Sequence, residues 1–138
     1  MTATQPASEY LTACGHEIHY MHWSSDRSDP IVMWHGLART GRDFDPCARR
    51  FADRFRIVAP DTIGRGLSGW ATAPEAEYRL EHYAEVAVEM LDRLGIERMR
   101  WVGTSMGGAI GMMLAAGPLK GRITHLVLND IGPAVDAA

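Results

Sequence analysis

The chain has 138 residues, with 14 Lys and Arg against 17 Asp and Glu, and a net charge of −3 with histidines neutral. That length bounds it to about one domain, able to bury roughly two-thirds of its unfolded surface, and its apolar (46%) and charged (22%) fractions are those of a globular chain. The slight acidity gives no basic field for nucleic acid or an anionic membrane, so neither is an expected partner.

Residues 1–9 are polar and read as a loose tail without an apolar leader. Segments 10–14 and 16–23 read as short strands joined at Gly15, an antiparallel pair at a sheet edge, and 24–29 as a polar turn. A buried-strand run follows at 30–34. The spacing of Phe44, Cys47, Ala48 and Phe51 predicts a helix over 40–54, with Thr40 and Asp43 placed for a capping box. A strand over 55–60 precedes a second helix over 80–94, where Leu80, Tyr83, Ala87, Met90, Leu91 and Leu94 repeat at helical spacing and Gly95 stops the run. A strand over 99–102 leads into a helix over 106–116, dense in Gly, Ala and Met and ended by Gly117 and Pro118; the last strand is 123–128. Alternating strands and helices imply an α/β fold, a mostly parallel sheet with helices on both faces, in a single domain over 1–138. The weakly polar run 106–119 is too short and too glycine-broken to span a bilayer, and a cytoplasmic location is expected. Cys14, on a strand, and Cys47, on a helix, make no disulfide framework and read as packed thiols.

Three of the strands end in glycine-bearing turns: His35-Gly36-Leu37, then Asp61-Thr62-Ile63-Gly64-Arg65-Gly66-Leu67-Ser68, then Gly103-Thr104-Ser105-Met106-Gly107. The last lies between an apolar strand and a small-residue helix. A sharp turn there holds a serine hydroxyl exposed, and the helix start aims free N–H groups and a positive dipole end at the reacting atoms. Ser105 is therefore the candidate nucleophile. The amide of Met106, just past it, and that of Leu37, on the neighbouring strand end, are the candidate oxyanion donors. Trp34, Leu37, Trp70 and Met106 are candidates to line an apolar acyl pocket, with ordinary packing the competing reading.

In this order the three motifs resemble the α/β-hydrolase superfamily, from about Tyr10 to Pro133. The resemblance implies a serine hydrolase that cleaves a carboxylic ester or similar acyl bond in a small-molecule substrate, with no cofactor or metal. It also implies that the histidine of His35-Gly36 buttresses its loop instead of acting as base, because the family's catalytic histidine lies beyond the last strand. Epoxide hydrolases and haloalkane dehalogenases share the second motif but attack with an aspartate at the elbow, where this chain has Ser105. In most members the triad acid follows a later strand. In a dehalogenase-like branch an acid ends the strand that Asp130 ends here, so Asp130 is the candidate acid; the competing reading is a turn-capping Asp beside Gly132 and Pro133. Family members run to about twice this length, so the stretch 129–133 reads as the start of a lid, and the ending is expected to be a cut. The chain is then the N-terminal half of a longer hydrolase, with its base supplied by a C-terminal half on another chain. An edge-to-edge homo-oligomer, or an inert half-domain acting in binding or assembly, is the alternative.

The remaining polar residues receive structural readings. Asp61 is expected to cap the glycine loop that follows it, and Arg65 to fix that loop. His16, His19 and His22 are expected on a solvated strand face, since zinc needs three or four converging ligands and none is visible in sequence. His82 and His125 are expected at the surface, out of reach of Ser105.

Overall fold

Successive side chains on a strand face opposite sides of a sheet, and the computed structural model, which describes residues 4–131, fills both sides with apolar residues. The strands are β1 (Ala7–Ala13), β2 (His16–Trp23), β3 (Pro30–Trp34), β4 (Arg56–Pro60), β5 (Met99–Thr104) and β6 (Ile123–Asn129); the helices are α1 (Asp45–Phe51), α2 (Pro74–Glu77), α3 (Leu80–Arg93) and α4 (Met106–Ala116). They build one six-stranded sheet in the order β1-β2-β4-β3-β5-β6. β1, β2 and β4 pair antiparallel, while β4, β3, β5 and β6 run parallel. Val32, Trp34, Val58 and Trp101 face α3 and α4 on one side, in a cluster with Tyr83, Met90, Ile110 and Leu114. Ile31, Met33, Ile57 and Ala59 face the other side, where Phe44 and Ala48 cover them. Helices therefore lie on both faces, as the alternation of elements predicts.

Three expectations change. The tail ends earlier than residue 9, because β1 begins at Ala7 and pairs along its whole length with β2. Cys14 leaves the strand for a two-residue turn with Gly15, both at positive φ (50° and 79°), as tight hairpins whose twist matches their strands require. The helix expected over 40–54 is broken. A 3₁₀ turn over Gly41–Phe44 precedes α1, and Pro46 explains the division, since it has no N–H to continue an earlier helix and is tolerated only in a first turn. The capping box does not form either: Thr40 makes no side-chain cap hydrogen bond, and the Asp43 carboxylate instead accepts from Arg39 Nε at 2.6 Å. Helix α2 has no counterpart in the sequence reading. Residues 132–133 of the expected lid start lie outside the described residues.

Helix α4 approaches the sheet so closely that side chains are excluded at the crossing. A Cβ on Gly103 would fall within the Gly107 backbone, and one on Gly107 within the Trp34 carbonyl. Gly107→Ala must push α4 off the sheet, an overpacking cost of about 3 kcal/mol. Gly121→Ala meets no neighbour within 4 Å at φ 81° and should cost only the left-handed strain, about 1 kcal/mol. Urea denaturation of the two variants checks this; equal losses would show that the crossing is not tight.

Candidate active site

The chain reverses direction in one residue between β5 and α4. Ser105 occupies that position at φ 50° and ψ −110°, a region that a non-glycine residue enters only when its surroundings hold it there. Its N–H donates to the Asn129 carbonyl at 2.9 Å and its carbonyl accepts the Ala109 N–H at 3.0 Å, so its backbone is fixed from both sides. The side chain, half-buried, makes no cap hydrogen bond to its own helix. Gly36 lies against it: a Cβ there would sit 3.8 Å from Ser105 Cβ. The loop after β3 is thereby brought alongside the serine.

Leu37, 64% exposed, and Met106, almost fully buried, line one groove of about 420 Å³ together with Gly64, Arg65, Tyr78 and Tyr83. Arg65 braces this groove, donating to the carbonyls of Leu37 (3.0 Å) and Ile63 (3.1 Å) and to the Tyr83 hydroxyl (2.9 Å), as expected of a loop-fixing cation. Asp130 is exposed at φ 59°, one residue past Asn129, at the same sheet end as Ser105. The two tryptophans do not share this setting. Trp34 is 2% exposed, stacks on Trp101 with ring centroids 5.5 Å apart, and donates from Nε1 to Thr62 Oγ1 at 2.8 Å. Its place is in the core rather than in an acyl pocket. Trp70 is 78% exposed and does not line the groove that holds Leu37 and Met106.

His35 is fully buried with both ring nitrogens engaged. Nε2 accepts the Thr62 N–H at 2.9 Å, which leaves Nδ1–H to donate to the Gly36 carbonyl at 2.6 Å. It holds the loop that carries Leu37, and it is no free base. Asp61 takes the capping role: Oδ1 accepts the Gly41 N–H (2.8 Å) and Oδ2 the Leu67 N–H (3.0 Å). Gly66 must be glycine, since at φ 53° a Cβ would collide with the Asp61 carboxylate.

His16, His19 and His22, expected on a solvated strand face, are instead all buried. His19 Nδ1 donates to Asp61 Oδ2 at 2.8 Å and Nε2 accepts from the Ser8 hydroxyl at 2.6 Å. This contact order is that of a catalytic triad, but Ser8 lies within β1 opposite Met21, away from any helix start that would present amide donors. His22 lies between Glu9 (3.1 Å) and Arg56 (2.9 Å), and His16 contacts His82, which is half-buried instead of on the open surface. His125 is exposed as expected; four residues before Asn129 on β6, it is about 13 Å along the strand from the Ser105 end. Among the described residues, then, no hydrogen bond joins a histidine ring to Ser105, and the rings of His16, His19, His22 and His35 are engaged elsewhere. Cys14 and Cys47 are free and half-buried against the two cores, and burial pushes both thiols up.

Residues 29–137 match the family described as the alpha/beta hydrolase fold. The chain belongs to the α/β-hydrolase family. It is 44% identical over 120 residues to a 3-hydroxybutyrate-oligomer hydrolase of Cupriavidus necator, covering 86% of this chain and 40% of that protein. It is 32% identical over 123 residues to haloalkane dehalogenase 2 of Mycobacterium bovis, covering 89% and 41% respectively. A crystal structure of an alpha/beta hydrolase from Novosphingobium aromaticivorans superposes with a TM-score of 0.86 at 36% identity, over 99% of this chain and 47% of the other. The chain thus spans less than half the length of these α/β-hydrolases. No helix among the described residues is long and apolar enough to cross a membrane.

Burial pushes the His35 imidazole below its ordinary value of 6.5, partly countered by its bond to the Gly36 carbonyl. The unfolded chain therefore takes up this proton more readily than the folded one. The contribution to stability is complete above about pH 6.5, is lost as pH falls below it, and levels off once the folded-state pKa is passed. His22, also lowered mainly by burial, acts with the same sign. His35→Asn should show a shallower loss of urea midpoint between about pH 7.5 and 5.5 than the parent chain. Parallel slopes would mean that His35 is not held neutral.

Proposed function

We propose that this α/β-hydrolase chain carries the nucleophile and oxyanion hole of a serine hydrolase that cleaves carboxylic esters. The observation that carries the reading is Ser105 itself: a serine at positive φ, between a parallel strand and the first turn of a helix, with Gly36 packed against it. Ser105 Oγ attacks the ester carbonyl carbon as its proton passes to the base, the amides of Met106 and Leu37 receive the oxyanion, and the base returns the proton to the departing alcohol, leaving an acyl-enzyme that water hydrolyses. Asp130, at the same sheet end, is the proposed acid partner of the base. Serine rather than aspartate at the elbow favours acyl transfer over the dehalogenase type of attack. The relative of highest identity quoted above acts, by its name, on 3-hydroxybutyrate oligomers. Their units are joined by ester bonds, and esters of short hydroxy acids are the substrate class proposed here.

The base comes from outside the described residues, on this reading from a C-terminal half. That half also covers β6, which pairs only with β5 among the described strands and leaves Val127 52% exposed. The engagement of every buried histidine favours one further reading, that the chain alone is inert and acts in binding or edge-to-edge assembly. The two readings separate in a p-nitrophenyl butyrate assay run with and without an added C-terminal segment from a relative. Restored turnover that falls about a millionfold in Ser105→Ala supports the esterase. Turnover that survives Ser105→Ala overturns Ser105 as nucleophile, and absence of turnover in both arms, with a defined oligomeric mass, favours the assembly reading.

A further inference from the structure

Three side chains from separate parts of the sequence meet where β2 borders α2 and α3. His16 Nε2, at the start of β2, lies 2.8 Å from His82 Nε2 in the first turn of α3 and 3.2 Å from Glu77 Oε2 at the end of α2. One potential ligand atom from each residue falls within 4.8 Å of the other two. We propose that His16, Glu77 and His82 form a binding site for a divalent transition metal, Zn2+ above all, that staples α2 to the sheet.

Two imidazoles and a carboxylate are a ligand set that zinc takes in tetrahedral sites, with water in the fourth position. Bonds of about 2.0–2.2 Å place tetrahedral ligand atoms about 3.4 Å apart. The two ring nitrogens, 2.8 Å apart, have only to part by about 0.6 Å, and the 3.2 Å between His16 and Glu77 is already close to that spacing. Mixed nitrogen and oxygen donors also select against Ca2+ and Mg2+, which take oxygen shells.

The groups behind the ligands are already arranged for this. Glu85 Oε2 stands 3.6 Å from His82 Nδ1, on the side of the ring away from the Nε2 that faces His16. Glu77 Oε1 accepts the Ala73 N–H at 2.7 Å and the Thr72 hydroxyl at 3.3 Å, which orients the carboxylate and leaves Oε2 for the ion. His16 Nε2 lies within hydrogen-bond reach of both His82 Nε2 and Glu77 Oε2. A cation bound there would take the place of these direct contacts between the three side chains.

The ion would fix more than its ligands. Tyr78 follows Glu77 directly, accepts the Ala71 N–H on its hydroxyl at 3.1 Å, and lies against Gly64 with the Arg65 guanidinium over its ring. Occupancy would hold this wall of the groove beside Met106, and the inference stands whether or not Ser105 is a nucleophile.

The test is a Zn2+ titration of the tag-free chain in competition with a chromophoric zinc indicator. One Zn2+ per chain, bound at micromolar concentration or tighter, is expected. Glu77→Gln and His82→Asn should each weaken binding at least about tenfold, while His125→Asn, on the exposed strand, should leave it unchanged. Glu77→Gln removes a side chain that still reaches solvent, 19% exposed, so a folded variant is available. In the parent chain Zn2+ should also slow proteolysis within residues 64–79, and in Glu77→Gln it should not. The proposal is overturned by the absence of saturable binding, by binding that survives both ligand substitutions, or by binding that depends on His125.

Discussion

The structure depends on how closely helix α4 lies against strands β3 and β5. At Gly103 and Gly107 the two backbones leave no room for a Cβ, and the Trp34 carbonyl occupies the space that a side chain at 107 would need. Trp101 closes the crossing from below, stacking on Trp34 and donating from Nε1 to the Gly107 carbonyl at 3.0 Å. Such contact leaves one residue in which the chain can turn from strand to helix, and that residue takes a positive φ although it has a side chain. The strain, of the order of 1–3 kcal/mol, is offset by the packing around it. Its effect is to lift Ser105 at the start of the helix, where unpaired N–H groups gather.

A second network fixes the loops around that serine. Asp61 binds backbone N–H groups on two sides, at Gly41 and Leu67, and the His19 ring on a third; the Ser68 hydroxyl returns to the Asp61 carbonyl at 2.7 Å. His35 does the same for the next loop through Thr62 and Gly36. Buried polar atoms are tolerated when their partners are present. Here the partners join β2 to the strand ends where the candidate site lies. The same bonds tie both ring nitrogens of His35 to backbone groups, which leaves it no free nitrogen to act as a base.

Much of the architecture was legible along the chain. β2 and β3 match their apolar runs, α3 runs from Leu80 to Arg93 as its spacing indicates, and α4 starts directly after Ser105. The failures were of a different kind. The helix expected over 40–54 satisfied the apolar period, but Pro46 reset its hydrogen bonding and Arg39 claimed the carboxylate that the capping box needed. Trp34 was a plausible pocket wall because nothing near it in sequence says that Trp101 will lie parallel to it. The alternation of a strand tells which residues share a face but not what covers that face, and here His16, His19 and His22 are all buried.

The sequence by itself determined the order of elements, the mostly parallel sheet with helices on both sides, and the turn that presents Ser105. Each depends on short-range properties: hydrophobic period, glycine's lack of a Cβ, and proline's lack of an N–H. Only the tertiary structure decided where the histidines went. His16 meets His82 across 66 positions and His19 meets Asp61 across 42. Such pairings are set by strand order and by the docking of α2 and α3, and a side chain's hydrogen-bond partners follow from that geometry, which local sequence does not encode.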